Sequence, residues 1–212
     1  VIRGGLRAAG VALTVAAMLP RPAAAEAVAA EALAAGGHVV FLRHTEASEG
    51  SDLDVRDLVD CATQRNLSAR GREDAAAIGR ALRARGVLVG RALASPYCRT
   101  RETAALAFGA ERTRLAEGLT SICETTPAAA RARTAELKAL LAAPPAPGVN
   151  TVLVSHNCNI RVLADASWPD CARRPGMGDA VVFRPDGGGG YRLVGCVALA
   201  EFRAWAEPPA KP

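Results

Sequence analysis

The chain is poor in aromatic residues: Phe, Tyr and Trp together make up 4% of its 212 residues. A core must therefore be assembled mainly from Ala, Leu and Val, a composition that suits helices packed on a sheet. Histidine is scarcer still, with three in all, and the cysteines form no CxxC pair. The ligand spacing of a structural zinc site is thus missing, and His156-x-Cys158 alone is too weak a signal to replace it. Neither a metal nor any other cofactor is expected. No apolar stretch reaches the ~20 residues that a membrane-spanning helix needs, and no internal repeat is visible.

Charge is also in short supply once the first residues are set apart. Arg3 and Arg7 precede an uncharged stretch from Ala8 to Leu19, and Pro20 to Ala25 ends in the small residues Ala23-Ala24-Ala25. This is the layout of a secretory signal peptide cut near Ala25, ahead of one domain over residues 26–212. With Arg3, Arg7 and Arg21 removed, the formal net charge falls from +5 to +2. Such a balance offers no concentrated basic face, so nucleic acid is not an expected partner, and neither is stable membrane insertion after cleavage. The remaining length is enough for one sizeable core and too short for two comfortable ones. All six cysteines, at 61, 98, 123, 158, 171 and 196, lie in the mature part. An even number in an exported chain favours disulfides, and six cysteines allow fifteen pairings. The expected location is the periplasm or the exterior.

Periodicity divides the rest into alternating strands and helices. Glu26 to Ala35 is an Ala-rich helix ended by Gly36-Gly37. His38 to Leu42 is a short, continuous apolar run, as in a buried parallel strand, and it delivers Arg43-His44 at its end. Residues 47–66 are polar and mixed, a long surface loop. Ser68 caps a helix to about Arg85, with Ala75, Ile78 and Leu82 on one face and Gly86 closing it. Arg91 to Ser95 is the next strand, Arg99 to Phe108 a helix, and Thr113 to Ala116 a brief strand. Pro127 opens another helix at the position proline prefers, Thr151 to Ser155 is the clearest buried strand, and it delivers His156. Ala180–Arg184 and Tyr191–Leu199 flank a Gly-rich turn as a terminal hairpin, and Glu207 to Pro212 is a frayed end. This order predicts an α/β fold, a three-layer α/β/α sandwich on a mostly parallel sheet. In such folds ligands bind beyond the carboxyl ends of the strands, which is where Arg43, His44, Ser95 to Arg99 and His156 all fall.

Those residue types suit phosphoryl transfer, which needs a nucleophile, cations around the equatorial oxygens and an acid for the leaving group. A neutral imidazole nitrogen is nucleophilic, and the planar fork of arginine gives bidentate contacts to phosphoryl oxygens. Four blocks carry a specific resemblance: Leu42-Arg43-His44-Thr45-Glu46; Asn66-Leu67-Ser68-x-x-Gly71; Ser95-Pro96-Tyr97-Cys98-Arg99-Thr100-Arg101-Glu102-Thr103-Ala104; and Val152-Leu153-Val154-Ser155-His156. Their order and content over residues 38–160 resemble the histidine phosphatase superfamily, also called phosphoglycerate mutase-like. The resemblance implies that His44 becomes phosphorylated and that Arg43, Arg99 and His156 surround the phosphoryl group, with Asn157 beside them. It also implies a phosphomonoester hydrolase, here acting on a small or lipid-linked substrate. A phosphoglycerate mutase, a protein-phosphohistidine phosphatase and a phosphate-binding relative without catalysis are the alternatives.

The sequence departs from the family at three places. Thr45 stands where Gly is usual, which would restrict the backbone there. Asn157 follows the second histidine, where one branch has an acidic Asp. Leu119-Thr120-Ser121 puts Ser where the other branch has its Glu. Glu124 and Glu117 are the nearest replacements for the leaving-group acid, with Glu124 preferred. A Cys61–Cys98 bond would tie the long loop to the residue beside Arg99, and Cys158 could pair with Cys171 across a short loop.

Overall fold

A computed structural model describes Val1 and residues 28–52 and 58–207. The expected signal peptide and the expected frayed end beyond Glu207 lie outside the described residues, as do residues 53–57 of the long loop.

Six strands form one sheet in the order β3-β2-β4-β1-β5-β6. They are β1 (Val39–Arg43), β2 (Val89–Ala94), β3 (Thr113–Leu115), β4 (Asn150–Ser155), β5 (Ala180–Pro185) and β6 (Tyr191–Val197). The pairs β1·β4, β4·β2 and β2·β3 are parallel, while β5 runs antiparallel to both β1 and β6. The mostly parallel expectation therefore holds, with β5 as the single reversed strand. β1 and β4 lie in the middle, covered on both faces, and this is why their sequences are unbroken apolar runs rather than alternating ones.

The two faces have separate cores, set by the two-residue period of the strands. Val40, Leu42, Val152, Val154, Ala180 and Val182 point to one side and pack against Leu33, Ile78, Leu82, Ala104 and Phe202. These come from helices α1 (Ala30–Ala34), α2 (Ala69–Ala84), α3 (Cys98–Phe108) and α7 (Leu199–Ala206). Val39, Phe41, Leu153, Val181 and Phe183 point to the other side and meet Leu137, Leu141, Ile160 and Ala172. Their helices are α4 (Pro127–Ala142), α5 (Asn157–Arg161) and α6 (Asp170–Arg173). The result is a three-layer α/β/α sandwich.

Local chemistry explains where α2 begins. The Ser68 hydroxyl accepts from the Gly71 N–H at 3.0 Å, an N-cap, and donates to the Glu46 carboxylate at 2.6 Å. Gly71 is required by close approach, because a Cβ there would sit 1.9 Å from the Glu46 carbonyl oxygen. The Leu-Ser-x-x-Gly block is thus the device that presses α2 against the chain leaving β1.

Three helices escape the periodicity. α5 and α6 span only five and four residues, too short to display a period. The third, α7, begins at Leu199, inside the stretch expected as strand; the strand ends at Val197. The switch is enforced by tertiary partners. Asp179 accepts from the Leu199 N–H at 2.8 Å and Glu201 from the Ala198 N–H at 2.6 Å. Phe202 is then buried, and Arg203 reaches the buried Asp74 of α2 at 2.6 Å.

Three disulfides, Cys61–Cys98, Cys123–Cys158 and Cys171–Cys196, use all six cysteines. The first matches the expectation. The Cys158–Cys171 pairing is wrong: Cys158, in the first turn of α5, bonds to Cys123 in the stretch after Leu119, while Cys171 on α6 packs over the sheet onto β6. Proximity in sequence misled because α5 and α6 present these side chains to different partners. No described helix is long and apolar enough to cross a membrane.

Candidate active site

The sheet register assembles the site. Arg43 pairs with Ser155 at the end of β1 and β4, so His44 and His156 leave neighbouring strands side by side. Ala94 pairs with Val154, which brings Ser95 next to them. The rings of His44 and His156 have centroids 5.5 Å apart, and Tyr97 packs edge-on to His156 at 4.9 Å. α3 starts here and carries Arg99, whose guanidinium stacks over the Tyr97 ring at 4.5 Å. Arg43, His44, Asp52, Arg65, Tyr97, Arg99, Ser121, Cys123, Glu124, His156 and Asn157 line one cavity of about 130 Å³. A larger hollow of about 660 Å³ beside Arg72 and Arg101 contains neither histidine, and it is open and shallow.

His44 is held as a particular tautomer. Its Nδ1 lies 2.8 Å from the Thr45 carbonyl oxygen, which can only accept, so Nδ1 carries the proton and Nε2 keeps its lone pair. Burial, reinforced by the charges of Arg99, Arg43 and Arg65, lowers its pKa to about 3 against a favourable contribution from Thr45. The imidazole is therefore neutral at ordinary pH. His156 is also pushed well below its usual range, first by burial and then by His44, Arg99 and Arg43. The Ser95 oxygen accepts from the Tyr97 N–H at 3.4 Å and lies 3.0 Å from His156 Nε2, a hydrogen bond that either group can donate.

Thr45 proves compatible with its place. Among the described residues no non-glycine has a positive φ, so the position makes no demand for Gly. Its N–H donates to the Thr103 hydroxyl at 3.3 Å, and the two hydroxyls lie 3.2 Å apart, tying the residue after His44 to α3. Arg43 donates to the Pro175 carbonyl at 2.9 Å, and burial draws its pKa below the usual guanidinium range, partly offset by Asp179. It remains a cation, as arginine does in proteins.

The two candidate acids separate. Glu124 lines the cavity, exposed at its mouth; Glu117 is outside it, with Oε2 accepting from the Thr120 hydroxyl at 3.2 Å. Ser121, the residue standing where a Glu was expected, does face the cavity. Asp52 and Arg65 are in the site and were not singled out from the sequence. They sit in the loop after β1, which has no periodicity to orient them; its position just downstream of His44 is the one hint the sequence holds. Among the described residues no group of three or more His, Cys, Asp or Glu could hold a metal.

Residues 39–123 match the model of the histidine phosphatase superfamily, branch 1. Over that stretch, about two-fifths of the chain, the sequence is similar to this superfamily. Similar solved structures include the protein histidine phosphatase SixA complexed with tungstate, at 16% identity and a TM-score of 0.54, covering 77% of this chain and 97% of that one. The alpha-ribazole phosphatase from Shigella flexneri has 15% identity and a TM-score of 0.55, covering 76% and 96%. A phosphoserine phosphatase from Entamoeba histolytica in complex with phosphoserine has 14% identity and a TM-score of 0.53, covering 77% and 98%. At such identities these structures establish the shared fold. A search of curated protein sequences finds no match. In this fold His44, Arg43, Arg99 and His156 meet in one cavity, and Glu124 and Asn157 stand at its wall.

Proposed function

We propose that the chain hydrolyses a phosphomonoester through a phosphohistidine on His44. The observation that carries this reading is the Nδ1–H to Thr45 hydrogen bond, which leaves a neutral Nε2 facing a cavity lined by guanidinium groups. Nε2 attacks phosphorus, the P–O bond to the alcohol breaks, and the alcohol leaves with a proton from Glu124. Water then attacks the phosphohistidine, giving up a proton to Glu124 as the P–N bond breaks. Inorganic phosphate departs and the neutral imidazole returns.

Charge on the phosphoryl oxygens is met by Arg43 and Arg99. In this reading Ser95 donates to Nε2 of His156, 3.0 Å away, and Nδ1–H of that ring is the donor offered to a phosphoryl oxygen. Asn157, half-buried at the start of α5, offers a further amide donor. In this reading cations of the protein replace a divalent ion, and activity is expected to survive EDTA. The substrate is a small or lipid-linked phosphomonoester, because a cavity of about 130 Å³ takes a phosphoryl group and leaves the alcohol at the mouth. Six paired cysteines and the signal-like first 25 residues favour an oxidising compartment, the periplasm or the exterior.

The test is incubation of the oxidised protein with p-nitrophenyl phosphate, followed by a rapid quench and mass spectrometry. An acid-labile phosphoryl adduct on His44 is expected, together with turnover of p-nitrophenyl phosphate. Turnover without an adduct on His44, or activity that EDTA abolishes and zinc or magnesium restores, would overturn the proposal.

A further inference from the structure

Arg99 does not stand alone in the cavity. Its Nη1 donates to Oδ1 of Asp52 at 2.9 Å and its Nη2 to Oδ2 at 3.2 Å, a bidentate pair. The two side chains are 7% and 10% exposed, so the pair is largely withdrawn from water and from salt screening. Asp52 is itself anchored, because Oδ1 also accepts from the Arg65 N–H at 2.8 Å. The loop carrying both is bonded covalently to the residue before Arg99 through Cys61–Cys98.

A guanidinium has two edges that can grip an oxyanion: the terminal edge of Nη1 and Nη2, and the lateral edge of Nε and one Nη. Asp52 takes the terminal edge. Nε of Arg99 is buried and has no hydrogen-bond partner, so the lateral edge is the one left for a phosphoryl oxygen. We propose that Asp52 is the positioning residue of this site, holding Arg99 by its terminal edge so that its lateral edge meets the phosphoryl group. The inference rests on the proposed function in that Arg99 serves the phosphoryl group. It assigns Asp52 no contact with the reacting atoms. Without Asp52, Arg99 would sample several rotamers on its flexible stem, and part of each binding event would go to ordering it.

The experiment uses the full oxidised chain and the variant Asp52→Asn, which keeps the shape and removes the charge. Inorganic phosphate is the probe in titration calorimetry, alongside kcat and KM on p-nitrophenyl phosphate and on an alkyl phosphate. The dissociation constant of phosphate is expected to rise about 10-fold, and kcat/KM to fall about 10- to 100-fold. The fall should be by the same factor for both substrates, since positioning is blind to the leaving group. On an Arg99→Lys background, which already lacks the bidentate edge, Asp52→Asn should add less than about twofold. Asp52→Ser gives the same readings if the Asn variant folds poorly, the position being in a loop. Tighter phosphate binding in the variant would make Asp52 a competitor of the substrate and overturn the proposal. A loss confined to the alkyl phosphate would make it the acid, and full additivity with Arg99→Lys would break the link between the two; either result is equally fatal. A wild-type protein that binds phosphate but turns over neither substrate would defeat the proposed hydrolysis, while phosphate affinity would still judge the pair.

Discussion

The floor and the rim of the cavity are built by different means. His44 and His156 form the floor, with Ser95 bonded to His156 behind it; each lies one residue past the end of one of three neighbouring strands, and all three are buried. Parallel register fixes their spacing, and the His44 N–H bonds to the Ser155 carbonyl at 3.0 Å to carry the ladder past β1. Asp52, Arg65, Ser121, Glu124 and Asn157 form the rim, on loops and on the first residue of a five-residue helix. No ladder positions these segments. Instead Cys61–Cys98 ties one side of the rim to α3, and Cys123–Cys158 ties the other to α5. The third bond, Cys171–Cys196, lies over the sheet away from the cavity and serves as an internal control for the first two. Where hydrogen-bonded strands place the cavity residues, no crosslink is used; where loops place them, a covalent bond substitutes for the ladder.

The sharpest way to test that division is to remove floor and rim groups separately. His44→Ala should cut turnover of p-nitrophenyl phosphate to below a few per cent of wild type, since no covalent intermediate can form. Residual activity above that level would remove His44 from the chemistry. Arg99→Lys should lower kcat/KM by about 10²-fold or more, because an ammonium cannot reproduce a bidentate guanidinium contact; an unchanged value would place Arg99 outside the phosphoryl site.

Rim groups should show effects that depend on the substrate. Glu124→Gln is expected to slow an alkyl phosphate by ~10²-fold and an aryl phosphate far less, as general-acid assistance grows with leaving-group basicity. Glu117→Gln should leave both unchanged. Equal rates for wild type and Glu124→Gln on the alkyl phosphate would exclude it as the acid.

The disulfides allow a matched comparison. Paired Cys→Ser replacement at 123 and 158, or at 171 and 196, should each cost about 2–4 kcal/mol of stability in a denaturant melt. Only the first should also raise KM, by several-fold, because only that bond holds a rim segment. A KM change from the 171–196 replacement would erase the contrast between the bonds.

The smallest expected effect is on stability against pH. His44 has its pKa lowered to about 3 in the folded protein, against 6.5 for the free group. Between those values the unfolded chain binds a proton that the folded one refuses, so stability is full above about pH 6.5 and is lost as pH falls toward 3. His156, lowered for the same reason, adds to the slope. Urea melts of wild type and His44→Asn from pH 7 down to 4 should show a shallower decline for the variant. Parallel curves would mean that burial of this imidazole costs nothing.

Much of this architecture was legible beforehand, and for identifiable reasons. β1 and β4 are continuous apolar runs because both their faces are covered, and the α2 boundaries follow from Ser68 and Gly86, which respectively cap and end it. The histidines and Arg99 stood out because they sit where those elements end. What was not legible lies where no period operates. Leu199 reads as strand because nothing local announces that Asp179, twenty residues earlier in the chain, caps a helix there. Asp52 was passed over because its meaning comes from Arg99, 47 positions away.

Sequence alone thus pointed to His44 as the candidate nucleophile, to most of the strands and longer helices, and to the residues at strand ends, because burial period and capping are local properties. Tertiary structure decided the partner of each cysteine beyond the first pair, the separation of Glu124 from Glu117, and the pairing of Asp52 with Arg99. Each of these depends on which distant segments face one another across the sheet ends, and a chain's local chemistry carries no record of that until the sheet has formed.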